Sequence, residues 1–249
     1  MVTVEFRLLG SFAFLGADGW QRAPSRTRGG DLLKYLACHA RAPISRDVLG
    51  EVLWPELDNE ESKHRLHLAA SGARSALKGT VGQINPIVYA DGLYAWNDAI
   101  DVRCDTDELA RCLEDGSETA LARGVSSYAG QFLAGDTAEW IIPFRVLYEH
   151  MYVTILEALA KNAYRARDYA SAAKHALELV IVDRANERAT QLAMICLAKT
   201  GRRSSALAEF DALERYLQHW IGVKPMQETQ QVRVSILRGE VERLEYAEA

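Results

Sequence analysis

The stretch that decides the fold runs from Asp58 to Lys78 and reads DNEESKHRLHLAASGARSALK. Successive residues of an α-helix are rotated by about 100° around its axis, so residues three and four apart share a face. On that spacing the stretch predicts an amphipathic helix with one stripe of cationic and hydrogen-bonding side chains. The members of this stripe are Lys63, His67, Ser71, Arg74 and Lys78.

The opposite side of the same helix is small and apolar, as expected of a face that packs against a core. Asp58, followed three residues later by Glu61, is typical of a capping box and predicts that the helix begins there. Phosphates dominate affinity for DNA and side chains contact base edges in the grooves, so a packed helix with a basic stripe suits recognition. A solvated helix face without a ligand is the alternative that this stretch leaves open. The apolar side comprises Leu66, Ala69, Ala73, Ala76 and Leu77.

The flanking sequence predicts a small α+β domain over residues 1–100. Residues 3–22 alternate as short strands do, and a leucine-rich helix follows from about Arg28. Ser45 predicts the start of a second helix, which ends at Pro55, and a polar loop leads into the third. After the third helix, IVYADGLYAW predicts a hairpin around Asp91 and Gly92. Strands, three helices and a terminal hairpin in this order predict a winged helix-turn-helix.

Several segments of this half resemble a known family. LLGSFAF, PISRDVLGEVLW, the pattern of Leu66, Ser71, Arg74 and Leu77, and GLYAW resemble the DNA-binding domain of OmpR-type response regulators. The form is that of the Streptomyces antibiotic regulatory protein (SARP) family. This resemblance implies that one set of side chains meets the major groove, namely Lys63, His64, His67, Ser71 and Arg74.

The resemblance also implies that Arg46 lies near a phosphate and that a loop before the third helix faces RNA polymerase. The chain departs from the family pattern at Gly72 and Ser75 of the third helix and at Ala95 of the wing, where basic residues are usual. The segment 81–97 contains no Lys or Arg. The loop expected to contact polymerase comprises Pro55, Glu56, Leu57, Asp58, Asn59 and Glu60.

From Asp101 onward the sequence predicts an all-α domain over residues 101–249. Small and apolar residues recur at an offset of 34 residues, as in Ala172 with Ala206 and Leu179 with Leu213. This is the period of tetratricopeptide helix pairs, and a plain helical bundle is the alternative. SYAGQFLAG, AEW and the run from 222 to 225 resemble the bacterial transcriptional activation domain that follows the winged helix in SARP proteins.

Composition excludes several classes of protein. The 249 residues carry a net charge of −5, and residues 1–100 contain 11 basic and 11 acidic residues against 18 and 23 in residues 101–249. No apolar run is long enough to span a bilayer, so we expect no membrane contact and a cytoplasmic, nucleoid-associated protein. The four cysteines are scattered singly, without zinc-like spacing, and no catalytic or phosphate-binding motif is present. We therefore expect no metal, no cofactor and no enzymatic activity.

These observations favour a sequence-specific transcriptional activator. By resemblance it binds double-stranded DNA at direct or inverted promoter repeats, as a homodimer or as paired protomers, and recruits RNA polymerase. The competing hypothesis is an adaptor with a degenerate winged helix, whose helical repeats bind a protein partner or a small ligand. The neutral first half and the uncharged wing favour the adaptor, and the basic stripe favours the activator.

Overall fold

The computed structural model describes residues 1–16, 19–21 and 27–246, apart from the side chain of Asn59. Ala17, Asp18 and Arg22, which fall within the predicted strand region 3–22, lie outside the described residues. The chain forms two compact units. The first comprises Met1–Arg111 with Ser126–Glu149, and the second comprises Cys112–Val125 with His150–Ala249.

The first unit contains the predicted winged helix-turn-helix. Its elements follow in the predicted order of strands, three helices and a terminal hairpin. In chain order they are β1 (Val2–Arg7), β2 (Ala13–Gly16), β3 (Gly19–Gln21), α1 (Arg28–Cys38), β4 (Ile44–Ser45), α2 (Arg46–Leu53), α3 (Asn59–Val81), β5 (Ile87–Ala90), β6 (Leu93–Trp96) and β7 (Ile100–Cys104).

Two sheets frame the three helices of this unit. One has the strand order β3-β2-β1-β7, with β1 antiparallel to β2 and parallel to β7. The other has the order β4-β6-β5 and forms the wing. The expectation that the chain is helical from Asp101 was wrong for residues 101–104, because these residues pair with β1 as strand β7. The first unit therefore extends beyond residue 100, and the functional division into domains 1–100 and 101–249 stays a prediction.

Helix α3 packs its small apolar face against α1 and α2. Leu66, Ala69, Ala73 and Leu77 are buried, as predicted, whereas Ala76 is only half-buried. The crossing with α1 is tight because Gly29 lies against the α3 backbone: a Cβ at Gly29 would come within 2.9 Å of the Ala73 amide nitrogen. A side chain at this position would therefore push the two helices apart.

The elements after β7 are almost all helical. A 3₁₀ turn (Glu139–Ile141) precedes α6, and a π-helical turn (Leu217–Ile221) continues α9. No helix in the described part of the chain is both long and apolar enough to cross a membrane. The α-helices are α4 (Asp105–Asp115), α5 (Glu118–Ser127), α6 (Ile142–Arg165), α7 (Tyr169–Val182), α8 (Glu187–Lys199), α9 (Arg203–Tyr216) and α10 (Gln227–Arg238).

The 34-residue period is confirmed by the backbone of two helix ends. Arg167, after α6, and Gly201, after α8, both have positive φ angles, 61° and 77°. The amide of Asp168 bonds the carbonyl of Ala163 at 2.9 Å, and 34 residues later the amide of Arg202 bonds the carbonyl of Leu197 at 2.8 Å. Both ends have the hydrogen-bond pattern of a Schellman motif. Two successive helix pairs therefore turn in the same way, as tetratricopeptide-like repeats do.

We predict that the α1–α3 crossing limits the stability of the first unit. Gly29→Ala should reduce its stability by about 1–3 kcal/mol, because the added methyl overpacks a contact between two backbones. Chemical unfolding of the full chain, with hydrogen exchange of the α1 and α3 amides, measures this loss.

Gly72→Ala is the matched control on the facing helix. Its Cβ would lie 3.8 Å from the nearest heavy atom, the Cα of Gly29, which is an ordinary contact. Removing a mid-helix glycine should therefore stabilise the unit by up to about 1 kcal/mol. Equal effects of the two alanines would contradict the assignment of Gly29 as the residue that sets the crossing.

Candidate nucleic-acid interface

Helix α3 begins one residue after its predicted cap. The carboxylate of Asp58 accepts hydrogen bonds from the amides of Glu60 and Glu61 at 3.0 and 2.9 Å, which confirms the cap. The predicted loop Pro55–Glu60 is therefore too long: Asn59 and Glu60 belong to the first turn of α3, and the loop is 55–58. The side chain of Asn59 lies outside the described residues.

The centre of the exposed face of α3 overlaps the predicted stripe only at Ser71. The buried residues Leu66 and Ala73 define the inner side of the helix. Residues half a turn away from them point to solvent, and the predicted stripe runs along one flank of that surface. The exposed centre consists of His64, Leu68, Ser71 and Ser75.

The stripe lies on the flank that faces the wing. Three of its members already have partners within the protein, namely Lys63, His67 and Arg74. Lys63 is half-buried and forms an ion pair with Glu60. The ring of His67 lies edge-on to the ring of Tyr89, with 5.7 Å between centroids. The remaining stripe residues, Ser71 and Lys78, are exposed.

Arg74 joins helix α3 to the wing. Its Nε and Nη2 atoms both donate hydrogen bonds to the carbonyl oxygen of Ile87, at 3.0 and 2.8 Å. Ile87 is the first residue of β5, so this contact fixes the base of the hairpin against the helix. Two of the donors of Arg74 are therefore used within the protein.

The wing itself is a tight hairpin. Asp91 and Gly92 have φ angles of 51° and 80°, as a two-residue type I′ turn requires. The amide of Arg46 donates to the carbonyl of Gly92 at 2.9 Å, which ties the start of α2 to the turn. The Arg46 side chain lies 3.5 Å from the Tyr89 hydroxyl, so Arg46, the residue predicted to contact a phosphate, lies beside the turn end of the wing.

Aromatic rings fill the space between the wing and α3. The rings of Tyr89 and Tyr94 lie 4.6 Å apart, and the hydroxyl of Tyr94 is buried with no hydrogen-bond partner among the described residues. Burial raises the pKa of Tyr94, as does the neighbouring Tyr89, whereas Arg74 and Arg46 lower it. The wing is therefore held by aromatic packing and by arginine contacts.

The basic groups of this surface are largely offset by carboxylates. Arg65 bonds Glu61 at 2.7 Å, and Arg46 lies 3.4 Å from Asp47. With the pair of Lys63 and Glu60, three of the cations have an acid beside them. These are exposed pairs, so each contributes little to stability, but each lowers the local positive potential. The exposed face of α3 therefore has the form expected of a DNA-contacting surface, but its net positive charge is small.

Four residues of this surface are not among those predicted from the sequence. The exposed centre of α3 could have been found by placing its middle opposite Leu66 and Ala73, since helical spacing alone locates that direction. The contact between α3 and Tyr89 of the wing cannot be predicted in this way, because helical spacing does not show which element lies beside the helix. Among the described residues, no group of three His, Cys, Asp or Glu side chains could hold a metal ion. The missed residues are Arg65, Leu68, Ser75 and Tyr89.

We predict that Arg74 positions the wing in the protein without DNA. Arg74→Ala removes two hydrogen bonds from a charged donor, which should cost about 1.5–3 kcal/mol of local stability. Amide exchange in β5 and β6 should accelerate by about tenfold or more. Lys78→Ala, on the same stripe but four residues further along the helix, should leave the hairpin amides unchanged. Unchanged exchange in the Arg74 variant would exclude this positioning role.

Comparisons with known proteins agree with this architecture. The family model described as "Bacterial transcriptional activator domain" matches residues 105–237, which is more than half of the chain. Comparison with curated proteins gave no match. The solved structure of Mycobacterium tuberculosis EmbR in complex with a low affinity phosphopeptide has a TM-score of 0.72 and 19% sequence identity to this chain.

The EmbR alignment covers 96% of this chain and 66% of that chain, and at this identity it shows the fold alone. The C-terminal TPR-containing domain of a putative Plasmodium falciparum FK506-binding protein aligns with 10% identity and a TM-score of 0.40, over 55% of this chain and 91% of that one. The EmbR alignment and the family match confirm the fold of a winged helix followed by tetratricopeptide-like helices. With the family match over residues 105–237, this chain belongs to the bacterial transcriptional activator domain family, as its resemblance to SARP proteins predicted.

Proposed function

We propose that this chain binds duplex DNA at promoter repeats through α3 and activates transcription by recruiting RNA polymerase. The observation that carries the proposal is the geometry of α3, whose apolar residues pack against α1 and α2 while its outer face is exposed and lies beside a wing held by Arg74. The family is one of transcription regulators and not of enzymes. A recognition helix needs this combination of a rigid inner side and a free outer side.

The exposed centre of α3 supplies the groups that would enter the major groove. His64 and Ser71 carry hydrogen-bonding side chains suited to base edges, and Leu68, 62% exposed, offers an apolar surface for a thymine methyl group. Lys78, in the last turn of α3, and Arg46, beside Tyr89 of the wing, would contact phosphates. Lys63, His67 and Arg74 lie on the wing side, where they would border the same groove.

The acidic loop before α3 is the proposed contact with polymerase. Pro55, Glu56 and Asp58 are exposed, and the loop carries negative charge next to the DNA-binding helix. We further propose that protomers pair on adjacent repeats and that the helical domain adds contacts with a second copy or with polymerase. Both kinds of contact would hold the protein at promoters within the nucleoid.

The adaptor function is favoured by the charge of the surface. The wing segment 81–97 has no Lys or Arg, and the carboxylates beside Arg46, Lys63 and Arg65 weaken phosphate binding. On that hypothesis the winged helix positions the helical domain and does not bind DNA. Measured affinity for the DNA upstream of the gene decides between the two.

We predict that Ser71→Glu weakens DNA binding by about 1–3 kcal/mol, because it places a carboxylate at the centre of the face that enters the groove. Fluorescence anisotropy with labelled upstream DNA measures the effect. Ser204→Glu is the matched control, since Ser204 is an exposed serine in helix α9 of the second unit. Equal affinities of the two variants would argue against α3 as the DNA-binding element.

We predict a shallow salt dependence of the same binding. If about three to five phosphates are neutralised per protomer, the slope of log K against log salt should be roughly −3 to −5. Glu61→Gln should raise affinity at low salt because it removes the carboxylate that pairs with Arg65. Glu51→Gln, on the exposed side of α2, is the control. A much steeper slope for one bound protomer would reveal a basic surface elsewhere.

A further inference from the structure

The second unit contains a groove that the proposed DNA-binding function does not use. It lies between α9, the π-helical turn Leu217–Ile221 and α10, and it encloses about 950 Å³. Phe210 and Val234 contribute apolar walls, and polar side chains line the rest. π-helical turns are rare and are frequent at functional sites. The polar lining includes Arg215, Lys224, Arg233, Glu214 and His219.

An exposed apolar segment occupies the stretch of chain next to the groove-lining residues His219 and Lys224. Within seven residues of sequence, four large apolar side chains face solvent, and Trp220 is 72% exposed. Single apolar residues scattered over a surface are ordinary, but a continuous group of them marks a site of interaction. The four residues are Trp220, Ile221, Val223 and Met226, and we call them the apolar rim.

The apolar rim is held in place by buried polar contacts. Gly222 has a φ of 79°, and its amide bonds the carbonyl of Leu217 at 2.8 Å. The carboxylate of Glu187, a buried residue of α8, accepts a hydrogen bond from the amide of Met226 at 2.7 Å. The same carboxylate accepts from the buried hydroxyl of Thr229. The rim is therefore preorganised, which lowers the entropy lost when a partner binds.

The charge of the groove is opposite to that of the half of the chain that contains it. Residues 101–249 carry 18 basic and 23 acidic residues, yet the groove is lined by three cations and one carboxylate. Asp211 lies 3.8 Å from Arg233, a long contact between exposed side chains that only partly offsets the cation. The guanidinium of Arg233 also lies over the ring of Phe210, 4.6 Å from its centroid, so charge and apolar surface are interleaved.

We propose that this groove binds an acidic amphipathic segment of a partner protein. Carboxylates of the segment would face Arg215, Lys224 and Arg233, and its bulky apolar side chains would cover the apolar rim, as when an amphipathic helix docks in a groove. Nucleic acid is the less suitable occupant, because phosphates would not cover the four apolar side chains and Glu214 would repel them.

The test is selection of random 12-residue peptides displayed on phage against the full chain. The variant Trp220→Ala/Lys224→Glu, both of whose sites are exposed, serves as the counter-selection target. The control is Ile181→Ala/Lys174→Glu, an exposed apolar and an exposed lysine side chain on α7 of the same unit. Circular dichroism establishes that both variants keep the helical content of the parent chain.

The expected result is enrichment of peptides with net negative charge and bulky apolar residues at helical spacing. Measured by fluorescence anisotropy, their affinity should fall about tenfold or more in the Trp220/Lys224 variant and less than twofold in the control, as for a central tryptophan in an interface. Absence of enrichment, enrichment of neutral or basic peptides, or equal binding to both variants would overturn the proposal.

Two further measurements separate the other occupants. If the groove joined two copies of this chain, sedimentation velocity would show a smaller species for the Trp220/Lys224 variant, with no acidic peptide selected. If it bound nucleic acid, that variant would lose affinity for duplex DNA instead. Either result overturns the proposal. A chain that binds no DNA at all, but selects acidic peptides, would refute the proposed function and leave this inference intact.

Discussion

The close approach of α1 to α3 at Gly29 is the constraint on which the first unit depends. With no side chain at that position, the backbone of α1 lies directly on the turn of α3 around Ala73. The small residues Ala69 and Ala73 complete this contact, so the inner face of α3 is set by backbone packing as well as by apolar burial. Once the inner face is set, the rotation of α3 about its axis is fixed, and with it the residues that point outward.

The wing completes this arrangement from the other flank of α3. Arg74 donates two hydrogen bonds to the carbonyl of Ile87, and the rings of His67 and Tyr89 pack against each other between the wing and α3. Arg74 of α3 therefore has a structural role that needs no DNA. The hairpin has no basic side chain, so whatever it contributes to binding comes from its position beside the helix and not from attraction to phosphate.

Much of the architecture could be predicted because it depends on local signals. The caps at Asp58 and Ser45, the hairpin turn at Asp91 and Gly92, and the 34-residue period each follow from residue types at fixed spacing. The inner face of α3 could also be predicted, since periodicity identifies which residues are buried. Strand β7 has the alternating pattern of a strand in Ile100, Val102 and Cys104, but its pairing with β1 joins residues about a hundred positions apart and has no local signal.

The candidate site was harder to predict for a related reason. A helical wheel identifies a stripe, but it does not say which element lies against either flank of that stripe. The predicted stripe runs along one flank of α3, where His67 and Arg74 contact the wing and Lys63 pairs with Glu60. The groove in the second unit could not be predicted from the sequence for the same reason. Its cations come from α9, α10 and the turn between them, and only their tertiary arrangement brings a positive surface together within an acidic half of the chain.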